Sequence, residues 1–167
     1  ENRCRILKEI ITDVKKKAKK PFFVSLKMNG SDIDPAGLTP DLSADLVHSL
    51  KGYVDMFEIS CNITPPYYQI ASDFNLAAII KDIPKDHHSK VIENARKLLE
   101  GIHFQEEFNR PFAEVIRKKN PDAILALVGG NRVFSKMENL VKKGVVDFVS
   151  MSRPLLKNPF LVREFYE

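Results

Sequence analysis

Apolar residues along the chain change their spacing in a regular way, and the spacing predicts the elements. Ile6, Leu7, Ile10, Ile11 and Val14 recur at helical intervals, so an amphipathic helix is expected from Asn2 to Val14. PFFVSL, from Pro21 to Leu26, is a short apolar run rich in Phe and Val and bounded by Pro21 and Asn29-Gly30, which reads as a buried strand with Lys27 at its carboxyl end. Thr39 can cap a second helix and Pro40 supplies its first-turn geometry; the stripe to bury there is Leu42, Leu46, Val47 and Leu50. Gly52 breaks that helix, and Tyr53 to Ser60 reads as the next strand.

From Cys61 to Gln105 the pattern loosens into a long loop, holding Pro65-Pro66-Tyr67-Tyr68, His87-His88 and a short helix from Ser89 to Leu99, and it reads as an insertion. The rhythm then returns. Phe112, Val115 and Ile116 mark a helix stopped by Asn120-Pro121, and Ala123 to Val128 is a strand ended by Gly129-Gly130. Ser135 with Glu138 has the spacing of a capping box for a helix carrying Met137, Leu140 and Val141, Gly144 terminates it, and Val145 to Met151 is the last strand. Asn158-Pro159 starts a final helix. Strands alternating with helices imply parallel pairing with right-handed crossovers, hence an α/β fold. Four such units suit an open doubly wound sheet or half of a (β/α)8 barrel, and periodicity does not separate the two.

Composition narrows the function classes. The 167 residues, 44% hydrophobic and 29% charged, suit one soluble globular domain. No apolar run approaches the ~20 residues needed to span a bilayer, so a cytoplasmic setting without membrane contact is expected. Glu1 stands where a methionine would begin a complete protein, so the start reads as cut. Cys4 and Cys61 are too few and too far apart for a disulfide framework or a zinc site and read as reduced thiols. The net charge of +4 and the run Lys15 to Lys20 raise the possibility of nucleic-acid binding. Those lysines sit at a helix end, where they complement the dipole, and no aromatic stacking pattern accompanies them, so a solvated helix terminus is the better reading.

In both architectures ligands bind at the carboxyl ends of the strands. Lys27, Ser60 with Cys61 and Asn62, Gly129-Gly130-Asn131-Arg132, and Ser152-Arg153 stand there. Glycines after a strand let backbone approach an anion, a following helix presents free N–H groups, and an arginine adds a bidentate phosphate donor. Each feature also has an ordinary reading: a simple turn for Gly129-Gly130, a surface ion pair for Arg153, and a pair with Glu58 for Lys27. No metal-ligand spacing and no catalytic set is present.

Several of these stretches together resemble the old yellow enzyme family of FMN-dependent NAD(P)H oxidoreductases. ENRCRILKEIITDVK resembles the helix before the family's fifth barrel strand, FVSLKMNGSD followed by GLT that strand and its loop, and LVGGNR and DFVSMSRPLLKNPFLV its seventh and eighth strands. The resemblance implies the carboxyl-terminal half of a TIM barrel, with Lys27 beside the flavin pyrimidine and Gly129, Gly130, Asn131, Ser152 and Arg153 around the FMN phosphate. It implies NADH or NADPH as reductant, a small-molecule acceptor such as an activated alkene, and a missing amino-terminal half or a partner chain covering the open sheet edges. Ser152 stands where the family usually has glycine. The family's substrate-binding His/His or His/Asn pair and its proton-donating tyrosine have no match here, so these residues alone are expected to be nearly inert. The alternative is a non-redox half-barrel that binds a phosphorylated small molecule.

Overall fold

The structure, a computed structural model, describes residues 4–18, 20–34, 36–61, 80–99 and 104–167. The chain divides into two compact units, residues 1–62 with 106–167, and residues 63–105. The first unit contains helix α1 (Arg5–Lys17), strand β1 (Ser25–Asn29), helix α2 (Pro40–Leu50) and strand β2 (Met56–Ser60). The second contains a 3-10 turn (Lys85–His87) and helix α3 (His88–Leu99), where the His88 Nε2–H donates to Ile83 O at 2.7 Å. The first unit resumes with α4 (Arg110–Lys119), β3 (Leu125–Val128), α5 (Phe134–Lys142), β4 (Phe148–Ser150), α6 (Arg153–Lys157) and α7 (Leu161–Glu164). The paired prolines and tyrosines at 65–68 and the histidine at 103 lie outside the described residues.

All strand pairs are parallel, and the order in the sheet is β1-β2-β3-β4. That order resolves the choice left open by periodicity. A doubly wound sheet reverses its winding at a switch point, whereas here each strand is added beside its predecessor, as in a barrel. The four units form a half-barrel.

Alternation along the strands follows from one-sided winding. Phe57, Ile59, Leu125 and Leu127 are buried and pack with Ala44, Val47, Ile116 and Leu140 of the helices, and Leu26, Met28 and Val149 join the same cluster. The opposite face carries Ser25, Lys27, Met56, Glu58, Ala126, Phe148 and Ser150 in alternate positions. On that face Phe148 is 56% exposed. A parallel sheet is ordinarily covered on both faces, so one layer of a complete barrel is exposed here.

Several element boundaries differ from the sequence reading. β1 begins at Ser25, because pairing starts with Ser25↔Met56, and Phe22 and Phe23 run exposed before it. Lys27 is therefore mid-strand, not at the exit. In α2 the buried stripe is Ser43, Ala44, Val47 and Leu50, while Leu42 is turned outward. The Ser135–Glu138 capping box does not form: Val133 is the N-cap, Ser135 lies inside the first turn, and Glu138 pairs with Lys142 instead. The Thr39 cap does form, accepting from the Leu42 N–H at 3.3 Å. Asn158 Oδ1 accepts from the Phe160 N–H ahead of α7, and α6 intervenes as a separate short helix starting at Arg153.

The same clasp occurs twice in the first unit. Asp55, just before β2, accepts the Val24 N–H at 2.7 Å and returns its own N–H to Val24 O at 2.9 Å. Asp147, just before β4, accepts the Leu125 N–H at 2.8 Å and returns its N–H to Leu125 O at 2.9 Å. Each carboxylate is also paired with a cation two residues before the end of a helix, Lys15 of α1 at 3.0 Å and Arg117 of α4 at 2.6 Å. The sequence shows the repeat as Gly52-Tyr53-Val54-Asp55 and Gly144-Val145-Val146-Asp147. The half-barrel is thus two similar quarters, α1-β1-α2-β2 and α4-β3-α5-β4.

Candidate functional site

The exits of β3 and β4 are neighbours because Val128 pairs with Ser150, and one side chain fastens them together. Asn131 is 4% exposed, and its Nδ2 donates to Leu127 O at 2.8 Å and to Ser150 O at 3.1 Å. Its Oδ1 is buried with no hydrogen-bond partner, an acceptor left over once both amide hydrogens are spent on carbonyls. Ser152 and Arg153 follow directly after β4, both exposed, with Arg153 opening α6. Gly129, Gly130 and Asn131 on one side and Ser152 and Arg153 on the other therefore belong to adjacent turns. Lys27 lies on β1, two strands away from β3.

Gly129 and Gly130 adopt φ of +117° and +73°, a backbone that a side chain strongly disfavours. At Gly129 the requirement comes from the protein itself. A Cβ there would lie 2.5 Å from Asn109 Nδ2 and 2.7 Å from the Phe108 ring. The segment before α4 clasps this turn, with Asn109 Nδ2 donating to Val128 O at 2.6 Å and the Glu107 N–H to Gly130 O at 3.2 Å. Gly129 is glycine for packing, whatever the turn binds.

Glu106 supplies a feature that sequence reasoning missed. Its Oε2 accepts the backbone N–H of Arg132 at 3.2 Å. A carboxylate oxygen thus satisfies the last amide of this turn from within the protein. The pair Glu106-Glu107 was a visible signal, but its placement depends on the clasp by Asn109 rather than on any motif.

On the open face of the sheet, Lys27, Glu58 and Ser150 form a chain across three strands. Lys27 Nζ lies 2.8 Å from Glu58 Oε1, and Ser150 Oγ donates to Glu58 Oε2 at 2.9 Å. The buried Ala126 of β3 is small enough to let Glu58 and Ser150 meet over it. Desolvation alone would raise the Glu58 pKa, but the hydrogen bonds from Lys27 and Ser150 outweigh it and hold the carboxyl below its usual range. Lys27 thus takes the ordinary reading given to it, a pair with Glu58, while its side chain remains 61% exposed on the open face of the sheet. Cys4 and Cys61 are free and buried, and burial pushes the Cys61 thiol up, away from reactivity. Lys15 and Lys17 of the basic run are committed to Asp55 and Asp13.

Among the described residues no helix is long and apolar enough to cross a membrane, and no group of three or more His, Cys, Asp or Glu could hold a metal ion. No family model matches the chain. It is 28% identical over 98% of its length to a 4,4'-dithiodibutanoate disulfide reductase of Rhodococcus erythropolis, covering 41% of that protein. It is 27% identical to the NADH-dependent flavin oxidoreductase iliE of Hypocrea jecorina, with 96% of this chain aligned to 35% of that one. A third relative, the NADH-dependent flavin oxidoreductase nadA of Aspergillus parasiticus, is 24% identical and 31% covered. The chain therefore spans about two fifths or less of the curated relatives it matches. Among solved structures, a 2-naphthoyl-CoA reductase in complex with 2-naphthoyl-CoA superposes on 99% of the chain with a TM-score of 0.66 at 18% identity, covering 21% of that chain, a likeness of fold. The resemblance to NADH-dependent flavin oxidoreductases, first suggested by the motifs, extends over nearly the whole chain.

Proposed function

We propose that this chain is the FMN-phosphate half of an NAD(P)H-dependent flavin oxidoreductase barrel of old yellow enzyme type. The observation that supports it most is the juxtaposition of the β3 and β4 exits, tied by Asn131. The donor set suits a phosphate: backbone N–H groups at 130 and 131, the Ser152 N–H, and the Arg153 guanidinium, the Arg132 N–H being spent on Glu106. In this reading Gly129 and Gly130 keep the turn free of side chains, and Asn131 holds its two strands in register. Ser152, in place of the family's glycine, adds a hydroxyl beside the phosphate. Lys27, steadied by Glu58, presents its ammonium to the flavin pyrimidine, where positive charge favours the reduced, anionic ring.

Bound FMN would supply hydride transfer from NADH or NADPH to an acceptor, and the protein's part is to bind and orient it. One named relative suggests a disulfide as acceptor, and the family resemblance suggests an activated alkene or similar small molecule. Residues 1–167 then form one half-domain with 61–105 as an insertion, in a cytoplasmic setting, and the rest of the barrel comes from an amino-terminal half or a partner chain. A second reading, a non-redox module for a phosphorylated small molecule, gains from the pairing of Lys27 with Glu58, which offsets the charge meant for the flavin ring. Flavin released on denaturing the purified natural protein tests the choice. Yellow, fluorescent FMN at near-stoichiometric yield supports the oxidoreductase, whereas a colourless protein that binds phosphate esters without flavin supports the module.

A further inference from the structure

Among the described residues, the four strands carry two ionisable side chains, Lys27 and Glu58. They stand directly opposite each other on the open face of the sheet, Nζ 2.8 Å from Oε1, and their charges cancel there. The pair differs from the ion pairs along the helices. The Glu58 side chain is 22% exposed, whereas Glu9 and Glu93, each paired within its own helix, are 62% and 64% exposed. A carboxylate held at mid-sheet gives up water that a helix-surface carboxylate keeps, so its charge acts at closer range on whatever shares that face.

Ser150 gives the pair a direction. It stands opposite Val128, two residues beyond Ala126, which is itself the residue opposite Glu58. Its hydroxyl, 2.9 Å from Oε2, draws the carboxylate toward the carboxyl ends of the strands while Oε1 stays on Lys27. Parallel α/β sheets take their ligands at that end. Desolvation pulls the Glu58 pKa up, and the donors Lys27 and Ser150 more than offset it, so the group is ionised at neutral pH.

We propose that Glu58 is a positioning residue for the flavin, fixing the Lys27 ammonium on the open face and offsetting its charge, so that the ring meets a near-neutral pair instead of a free cation. This rests on the oxidoreductase reading of Lys27 and of the turns at 129–131 and 152–153. An unpaired lysine would stabilise the reduced, anionic pyrimidine strongly and would wander among rotamers. The pair stabilises that anion less and from one place. The reduced flavin is thereby kept a readier donor of hydride to its acceptor, and the tuning lies in a residue that reaches the ring only through Lys27 and the field of its own charge.

Sulfite reads this balance without turnover, because it adds its lone pair to flavin N5 and leaves negative charge on the pyrimidine. In the natural protein, Glu58→Gln keeps the shape of the side chain and removes its charge. Sulfite affinity should rise on the order of tenfold, the effect of one unit charge at close range in a partly exposed site, and the flavin midpoint potential should move upward with it. Glu58→Asp keeps the charge and should stay near wild type, whereas a role through shape alone would make Asp the disruptive variant and Gln the benign one. Lys27→Met, which leaves the carboxylate unbalanced, should weaken sulfite binding. Unchanged or weaker sulfite binding in a flavin-loaded Glu58→Gln protein, or an Asp variant shifted as far as the Gln one, would overturn the proposal and leave the flavin reading standing. If Glu58→Gln does not retain flavin, Lys27→Met decides, and unchanged sulfite affinity there overturns it. A natural protein that carries no flavin overturns both.

Discussion

Glycine at position 129 answers to a crowded environment, and glycine at 52 does not. Both have positive φ, but a Cβ at Gly52 meets nothing within 4 Å. Gly52→Ala should therefore lose only the backbone preference, about 1 kcal/mol. Gly129→Ala should lose more, about 2–4 kcal/mol from strain and displacement of Phe108 and Asn109 together. Urea unfolding of the two variants checks the difference, and equal losses would remove the packing explanation. Glu58 makes an acid-side prediction. Its folded pKa lies below the ordinary 4.5, so its contribution to stability is present above that value and is lost as pH falls through the folded one. The stability gap between wild type and Glu58→Gln should be constant near neutrality and should close below about pH 4. A gap unchanged at pH 3 would mean that the carboxylate contributes nothing through its charge. The partner of Lys27 was legible in the sequence as one of two readings, since both residues stand near the middle of adjacent strands. Ser150 as the third member was not, because its approach to Glu58 depends on the small Ala126 between them and on the register of two further pairings.

Local chemistry located the elements well but their ends poorly, and the ends are set by pairing. PFFVSL has the apolar content of a strand, yet it lies at the sheet margin, where Val24 is held through Asp55 and the Met56 N–H while Phe22 and Phe23 run exposed. Thr39 and Ser135 look alike in sequence, each ahead of an apolar run; Thr39 caps its helix and Ser135 is carried inside the first turn because Val133 turns the chain earlier. Thr39→Ala should cost about 1 kcal/mol and Ser135→Ala within about 0.5 kcal/mol, measured by thermal unfolding. A larger loss at Ser135 would contradict the observed start of α5. The repeat of Gly-x-Val-Asp at 52–55 and 144–147 was present in the sequence, but its meaning lies in backbone hydrogen bonds to the preceding strand. The clasp becomes visible only when Val24 and Leu125 are seen returning the same two bonds.

For the molecule as a whole, alternation of strands and helices was enough to give the fold class, while the strand order was needed to turn it into a half-barrel. The order also explains why one sheet face carries Lys27, Glu58, Phe148 and Ser150 in the open, a mixture suited to a barrel interior near its ligand end and unsuited to a free surface. The turns at 129–132 and 152–153 sit at that end, and their proposed convergence on one dianionic group is what joins fold to function. Amide chemical shifts on titration with FMN, using riboflavin as the phosphate-free control, test that convergence most directly. FMN should move the N–H signals of Gly130, Asn131, Ser152 and Arg153 along a single saturation curve, with riboflavin leaving them in place. Shifts confined to one turn, or the same shifts with riboflavin, would contradict it.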